Sequence, residues 1–279
     1  SEIEKFKDYR QAGVTRVSLG IQSLNNKSLV FLGRTHGRKA ALSAIEAARE
    51  TFPKYSLDII YALPDQRLSD WELELSEIIQ LSSNHLSLYQ LTIEKGTKFF
   101  RDRIQPASDR IAAHMYKKTQ EITAASGLPR YEISNHASAG NESRHNMTYW
   151  RGGSYLGVGP GAHSRLRVKQ QWFNSYGIYA PEKWLQVVEL RGYGVAKSIP
   201  MSTTERRDEV VMMGLRLKRG LKLKDFIDAT GLTFSEALNN QRISTLVENG
   251  LVEFANDTLS VTEKGFIKLN SIISFLLTD

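Results

Sequence analysis

Residues 56–92 read SLDIIYALPDQRLSDWELELSEIIQLSSNHLSLYQLT. Ser56 to Tyr61, with LDIIY at its heart, is the short apolar run of a buried strand. Beyond Pro64, Asp65 and Gln66, Ser69 and Asp70 can cap a helix that runs to about Leu81, with Ile, Leu and Trp at helical spacing. His85 to Thr92 reads as a further strand. Strands separated by a helix of this length pair in parallel through a right-handed crossover.

The same alternation extends to both sides. Upstream, Glu2 to Gln11 reads as a helix stopped by Gly13, Thr15 to Ile21 as a strand and Arg38 to Glu50 as a helix; downstream, Ser108 to Ala125 is a helix closed by Gly127. The architecture is α/β, an open sheet or a barrel of βα units. The chain opens on Ser1 within a helix, with no strand before it, although later helices have one. A parallel sheet without its first strands leaves an apolar edge uncovered. The expectation is that a preceding portion is missing and that residues 1–130 hold an incomplete parallel (β/α) barrel.

From Thr203 the texture changes. Thr204 to Leu217, Lys222 to Ala229 and Phe234 to Asn249 read as helices, the latter two ended by Gly231 and Gly250. Strands Leu251–Phe254 and Leu259–Thr262 flank the turn dipeptide Asn256-Asp257, and Glu263 to Leu277 is a last helix. Three helices and a hairpin make a small, mainly helical, winged-helix-like domain over 201–279, an arrangement that often meets DNA through its third helix. Here that helix carries only Glu236, Arg242 and Glu248, and the wing Glu253, Asp257, Glu263 and Lys264. Phosphate neutralisation supplies most of the affinity for DNA, so no nucleic-acid partner is expected.

Composition sets the outer bounds. The 279 residues are 41% hydrophobic and 24% charged, with no cysteine, which excludes disulfides and thiolate-held zinc or iron–sulfur clusters in this chain. No apolar run is long enough to span a membrane, and a cytoplasmic location is the default expectation. The net charge of +7 is uneven: Arg130 to Lys197 holds nine basic residues against four glutamates, and ten of the 26 aromatics. That mixture suits a flat anionic ligand or single-stranded nucleic acid, although Arg and Lys stems over apolar surface would account for it too.

Within that stretch, Tyr131 to His163 reads YEISNHASAGNESRHNMTYWRGGSYLGVGPGAH and follows neither helical nor strand periodicity. Long irregular segments in compact domains are disproportionately functional. Gly157-Val-Gly159-Pro160-Gly161-Ala162 formally matches a dinucleotide fingerprint, but Tyr155-Leu156 is too short a strand to precede one, and these glycines read instead as a tight loop. His145 is the sharpest candidate ligand, since imidazole is a common haem-iron donor. Arg144 and Arg151 could pair with ligand carboxylates, and Tyr149 and Trp150 could form a flat wall. His85 and His114 read as structural. In the first part, ligands of an α/β sheet sit beyond the strand carboxyl ends. Gln22, Arg34, Asp65, Gln66 and Glu94 belong to that rim, and Asp58 is a carboxylate inside an apolar strand, where ionised burial is costly unless it is paired.

Taken in order, GVTRVSLGIQSLN, LGRTH, LDIIYALPDQ, HLSLYQLTIEKGT, YEISNHA and SRHNMTYWRGGSYLGVGPGAHS resemble the radical S-adenosylmethionine proteins related to oxygen-independent coproporphyrinogen III oxidase over nearly the whole chain. The HNxxYW element resembles the haem chaperones of that family more than the oxidase, which stays as the alternative, a radical enzyme acting on a porphyrinogen. The resemblance implies S-adenosylmethionine contacts at Gln22, Arg34, Asp58 and Ile60. It implies haem binding at His145, Asn146 and Tyr149, with His145 as a haem-iron ligand. The segment 131–200 would then hold the haem site and the connection to the last domain. The implied partners are haem and a haem-acceptor protein, which could be membrane-associated, with the oligomeric state left open. Family members also carry a cysteine motif for a [4Fe–4S] cluster and a glycine-rich loop for the methionine moiety. This chain has neither, which puts catalysis by it in doubt.

Overall fold

A computed structural model describes residues 2–278. Ser1, where the opening helix is expected to begin, lies outside the described residues. Ser1–Glu142 and Ser143–Asp279 form two compact units.

In the first unit a 3₁₀ turn (Glu2–Lys5) and α1 (Phe6–Gln11) precede β1 (Arg16–Gln22), α2 (Asn26–Phe31), α3 (Arg38–Thr51), β2 (Lys54–Tyr61), α4 (Leu68–Leu81), β3 (His85–Gln90), α5 (Lys98–Arg101), α6 (Asp109–Ala125) and β4 (Asn135–Ala137). The sheet order is β1-β2-β3-β4. β1 pairs parallel with β2, and β2 with β3. The three-residue β4 closes the far edge antiparallel to β3, a reversal absent from the expected all-parallel sheet. Strand order follows chain order, as successive βα units of a barrel require, with no switch point of a doubly wound sheet.

The pleat divides the two faces. Leu57, Ile59 and Tyr61 of β2 point away from Ser56, Asp58 and Ile60. The first set packs with Ile45 of α3, Trp71, Leu75 and Ile78 of α4, and Met115 of α6 into the unit's core. Trp71 is fully buried, stacks on Tyr61 with 4.9 Å between ring centroids, and donates its indole N–H to Thr119 Oγ1 at 2.8 Å, so its one polar atom is satisfied.

Two details differ from expectation. α4 begins two to three residues earlier, with Arg67 in the capping position; Ser69 and Asp70 lie inside the first turn, and Asp70 accepts two bonds from Arg67, at 2.7 and 2.8 Å. α2, not anticipated, starts where Asn25 accepts from the backbone N–H groups of Lys27 and Ser28.

The second unit comprises α7 (Arg144–Trp150), β5 (His163–Val168), β6 (Gln171–Gly177), α8 (Pro181–Arg191), β7 (Val195–Pro200), α9 (Thr203–Gly214), β8 (Leu221–Lys222), α10 (Leu223–Thr230), α11 (Phe234–Ala237), α12 (Asn240–Glu248), β9 (Val252–Ala255), β10 (Thr258–Val261), α13 (Glu263–Phe266) and α14 (Leu269–Leu277). β5-β6-β7 is an antiparallel meander, and β8-β10-β9 is the small sheet of the winged-helix-like module.

The expected third helix is two helices, because Leu238 is extended and Asn239 caps α12 by accepting from Arg242 N–H. The expected last helix also breaks, at Lys268. The irregular reading of 131–163 is corrected as well: β4 lies in that segment, and HNMTYW is helical, because Ser143 supplies a side-chain cap that accepts from Asn146 N–H. No helix among the described residues is long and apolar enough to cross a membrane.

Candidate functional site

Each unit carries one candidate site. In the first, the polar face of the sheet carries Ser18 and Gly20 on β1, Ser56, Asp58 and Ile60 on β2, His85, Ser87 and Tyr89 on β3, and Asn135 on β4, as the register dictates. Ser18 Oγ donates to Asp58 Oδ1 at 2.7 Å. Burial pushes the Asp58 carboxyl above the usual carboxylate range, opposed by the hydrogen bond from Ser18 and by the neighbouring Ser87 hydroxyl. Ser87 also donates to Asn135 Oδ1 at 2.8 Å, and Asn135 Nδ2 donates to Glu132 Oε1. Glu132 is fully buried, and desolvation raises its pKa against the donors around it. His85 is held at both ring nitrogens, by Ser56 Oγ at 2.7 Å and Tyr131 OH at 2.9 Å, in keeping with a structural imidazole.

Gln22 ends β1 with φ at +68°, and a β-bulge there sets it opposite Ile59. A Cβ on Gly20 would stand 2.9 Å from Gln22 Nε2, so the glutamine amide folds back over the glycine, onto the face that holds Ser18 and Asp58. His36 Nε2 lies 3.2 Å from the Ile21 carbonyl and ties the loop that carries Arg34 to the carboxyl end of β1. Arg34 itself is exposed, and its guanidinium has no polar partner among the described residues. The structure thus brings Gln22, Asp58 and Ile60 onto one face and anchors the Arg34 loop beside it, without contact between Arg34 and the other three. The serines, Asn135 and Glu132 were missed by sequence reasoning; for Ser56 and Ser87 the signal was the polar residue alternating with leucine in Ser56-Leu57-Asp58 and His85-Leu86-Ser87, and for Asn135 and Glu132 there was none.

In the second unit the (i, i+4) spacing stacks His145 and Tyr149 on one side of α7. Tyr149 OH is 2.9 Å from His145 Nε2, and the rings meet edge-on with centroids 4.7 Å apart. Tyr155 continues the row, 4.5 Å from Tyr149 and again edge-on. His145 is exposed and Asn146 and Tyr149 are half-buried. The Trp150 indole N–H is shielded from water and has no acceptor among the described residues, an unmet donor of the kind a ligand satisfies. α7 is anchored from α9: Arg206, 3% exposed, donates to the Gly152 carbonyl, pairs with Glu209 at 2.7 Å, and lies 3.7 Å over the Trp172 ring. Glu209 also holds Arg165 of β5 at 2.7 Å.

An exposed imidazole at the end of an aromatic row fits an iron porphyrin. The chain does not fit an iron–sulfur cluster: it has no cysteine, and among the described residues no three His, Asp or Glu are grouped to hold a metal.

Residues 1–77 match the radical SAM superfamily, and residues 201–267 match the HemN C-terminal domain. The chain is similar to radical S-adenosyl methionine domain-containing protein 1, mitochondrial, of Danio rerio (39% identity, 78% of this chain and 51% of the relative). It is also similar to heme chaperone HemW of Haemophilus influenzae (35% identity, 100% of this chain and 71% of the relative). The chain thus spans about half the length of the Danio rerio protein. Among solved structures, coproporphyrinogen III oxidase (HemN) from Escherichia coli, a radical SAM enzyme, shares the fold with a TM-score of 0.77 at 18% identity, over 99% of this chain and 67% of that one.

Proposed function

The chain belongs to the HemW family of radical S-adenosylmethionine proteins, and from that premise we propose that it binds haem as cargo and passes it to an acceptor protein. The observation that carries this reading is the exposed His145 imidazole at the head of the Tyr149–Tyr155 row. A neutral imidazole nitrogen donates its lone pair to ferric or ferrous iron once it is released from the Tyr149 hydroxyl. Asn146 and Tyr149 complete the haem contact, with Tyr149 holding the imidazole until cargo arrives. The weak hold of an exposed donor suits release as much as capture. The acceptor, free or membrane-associated, takes the haem by offering a better ligand set. The cytoplasm is the proposed compartment; the Danio rerio relative is a mitochondrial protein by name.

S-adenosylmethionine is the second ligand we propose, at Gln22, Arg34, Asp58 and Ile60. When bound with a cluster it supplies the superfamily's hydrogen-abstracting chemistry. In this chain Asp58 and Gln22 offer acceptors and donors for hydroxyl and amine groups, Arg34 offers a cation for the carboxylate, and Ile60 offers apolar surface for the base. Likeness to the solved oxidase structure, at 18% identity, shows the fold, and the match to the HemN C-terminal domain covers residues 201–267, which hold none of the proposed site residues.

Hemin titration tests the haem reading. His145→Ala is expected to weaken binding about tenfold or more and to shift the Soret band, the cost of a lost metal donor. Unchanged affinity with an unchanged spectrum would sink the assignment.

A further inference from the structure

The glycine motif that serves no nucleotide holds a second histidine in place. Gly157 lies so close to the His163 backbone that a Cβ on it would meet the His163 carbonyl. Gly161, at φ +67°, admits the Tyr179 ring where its own Cβ would otherwise stand 3.1 Å from Cδ1. Residues directly opposite in an antiparallel ladder share a face. His163 is opposite Tyr176, and Tyr176 is opposite Lys197, so imidazole, phenol and ammonium form one row across β5, β6 and β7.

Tyr155 is opposite Arg165, two residues from His163 on the same strand, which puts Tyr155 on that same face. Tyr155 is also the residue that ends the His145–Tyr149 row. Both histidines therefore flank one aromatic surface of the second unit. The His163 and Tyr176 ring centroids are 5.8 Å apart, and those of Tyr176 and Tyr179 are 6.4 Å apart. Tyr179 is 68% exposed and His163 is exposed, so this end of the face meets solvent, whereas Arg165 and Trp172 farther along it are covered by Glu209 and Arg206 of α9. Lys197 is exposed and has no acidic partner among the described residues.

We propose that His163 is a second iron donor of the haem site, with Tyr176 and Tyr179 as wall for the porphyrin plane and Lys197 as partner for a propionate. The proposal rests on the haem reading above and extends it. The two imidazoles are held differently. His145 Nε2 is 2.9 Å from its tyrosine hydroxyl, whereas His163 Nε2 is 3.4 Å from Tyr179 OH, a long contact that leaves the lone pair more readily available. Ligation at His163 forms one nitrogen–iron bond and gives up at most that weak hydrogen bond, with no change of oxidation state. Two donors on one surface let iron keep one ligand while the other is exchanged, as stepwise hand-over of a cargo requires.

The test compares hemin with metal-free protoporphyrin IX on the whole chain. Expected for His163→Ala are a loss of about tenfold in hemin affinity and a displaced Soret band, with protoporphyrin affinity unchanged, since only the metal bond is removed. Free imidazole should restore the wild-type spectrum in that variant. His145→Ala should retain part of the ligand-induced Soret shift, and only the double variant should return the band to its position in free hemin. Lys197→Gln should weaken both porphyrins. Hemin binding by His163→Ala indistinguishable from wild type, with complete loss in His145→Ala, would overturn the second donor and leave the haem reading standing. Absence of hemin binding by the wild type would remove both. Far-UV circular dichroism of each variant separates ligand loss from unfolding; His163 is exposed, so its truncation leaves the core intact.

Discussion

At the scale of single residues, histidines divide by burial. His85 and His136 are 4% and 1% exposed. Burial pushes their pKa values down, to about 3 for His85 with Arg16 and His136 as further causes, and to about 4 for His136 with Arg130 adding to the fall. Both are depressed from an ordinary 6.5, so between pH 6.5 and the folded value the unfolded chain binds more protons. The stability they protect is fully present above pH 6.5 and is lost as the pH falls through that window. By pH 5 the loss is on the order of 2 kcal/mol per histidine. Glu132, whose pKa is raised by burial, works in the opposite sense: its contribution is present at low pH and is lost as pH rises through its folded value. Urea midpoints at pH 7 and pH 5 check the histidines. A lower midpoint at pH 5, flattened in His85→Gln, is expected, and equal midpoints in the wild type would contradict the neutral burial. The sequence exposed His85 as structural because it opens an apolar strand. It could not show that Ser56 and Tyr131 would hold the ring, since that depends on strand register and on a loop far along the chain.

Among elements, those with regular burial were legible and those defined by one hydrogen bond were not. α3, α4 and α6 announce themselves because each buries one face and periodicity follows burial, and β2 because its apolar run is covered on both faces. α7 is about two turns of mixed polar and aromatic residues whose start depends on the Ser143 side chain; no periodicity develops over so few residues. β5, β6 and β7 were also missed, since β7 is exposed along its whole length and gives no alternation. The glycine loop was read correctly as a tight backbone approach, although what it approaches became visible only in the fold. Gly157→Ala places a methyl group against the backbone of His163, and neither strand can give way without breaking the Tyr155–Arg165 bridge. Overpacking of this kind costs about 1–3 kcal/mol. A fall in the thermal midpoint measured by calorimetry is expected, and a midpoint equal to wild type would show that the loop is looser than its contacts imply.

For the whole molecule, alternation of strand and helix revealed the barrel-like unit, and the change of texture after residue 200 revealed the module matched by the HemN C-terminal domain. Charge distribution decides what that module does not do. Winged helices that bind DNA set a basic third helix into the major groove. Here α12 carries one arginine and one glutamate, and Arg242 is already committed, bonded to the Thr278 carbonyl and lying 5.6 Å from the Phe275 ring centre. The strands β9 and β10 add Glu253 and no basic residue. The excess positive charge sits instead between residues 143 and 200, with eight basic against two acidic residues, around the proposed haem surface. An anionic porphyrin gains from that field without reading any sequence. Duplex DNA would meet it only as a diffuse polyanion. Fluorescence anisotropy with a labelled duplex should therefore show weak retention at about 20 mM salt that disappears near 150 mM, because affinity from a few phosphate contacts falls steeply with salt. Arg242→Ala should leave that retention unchanged, whereas Lys197→Gln should reduce it. Salt-resistant binding that is lost in Arg242→Ala would mean that the terminal module reads nucleic acid despite its charge.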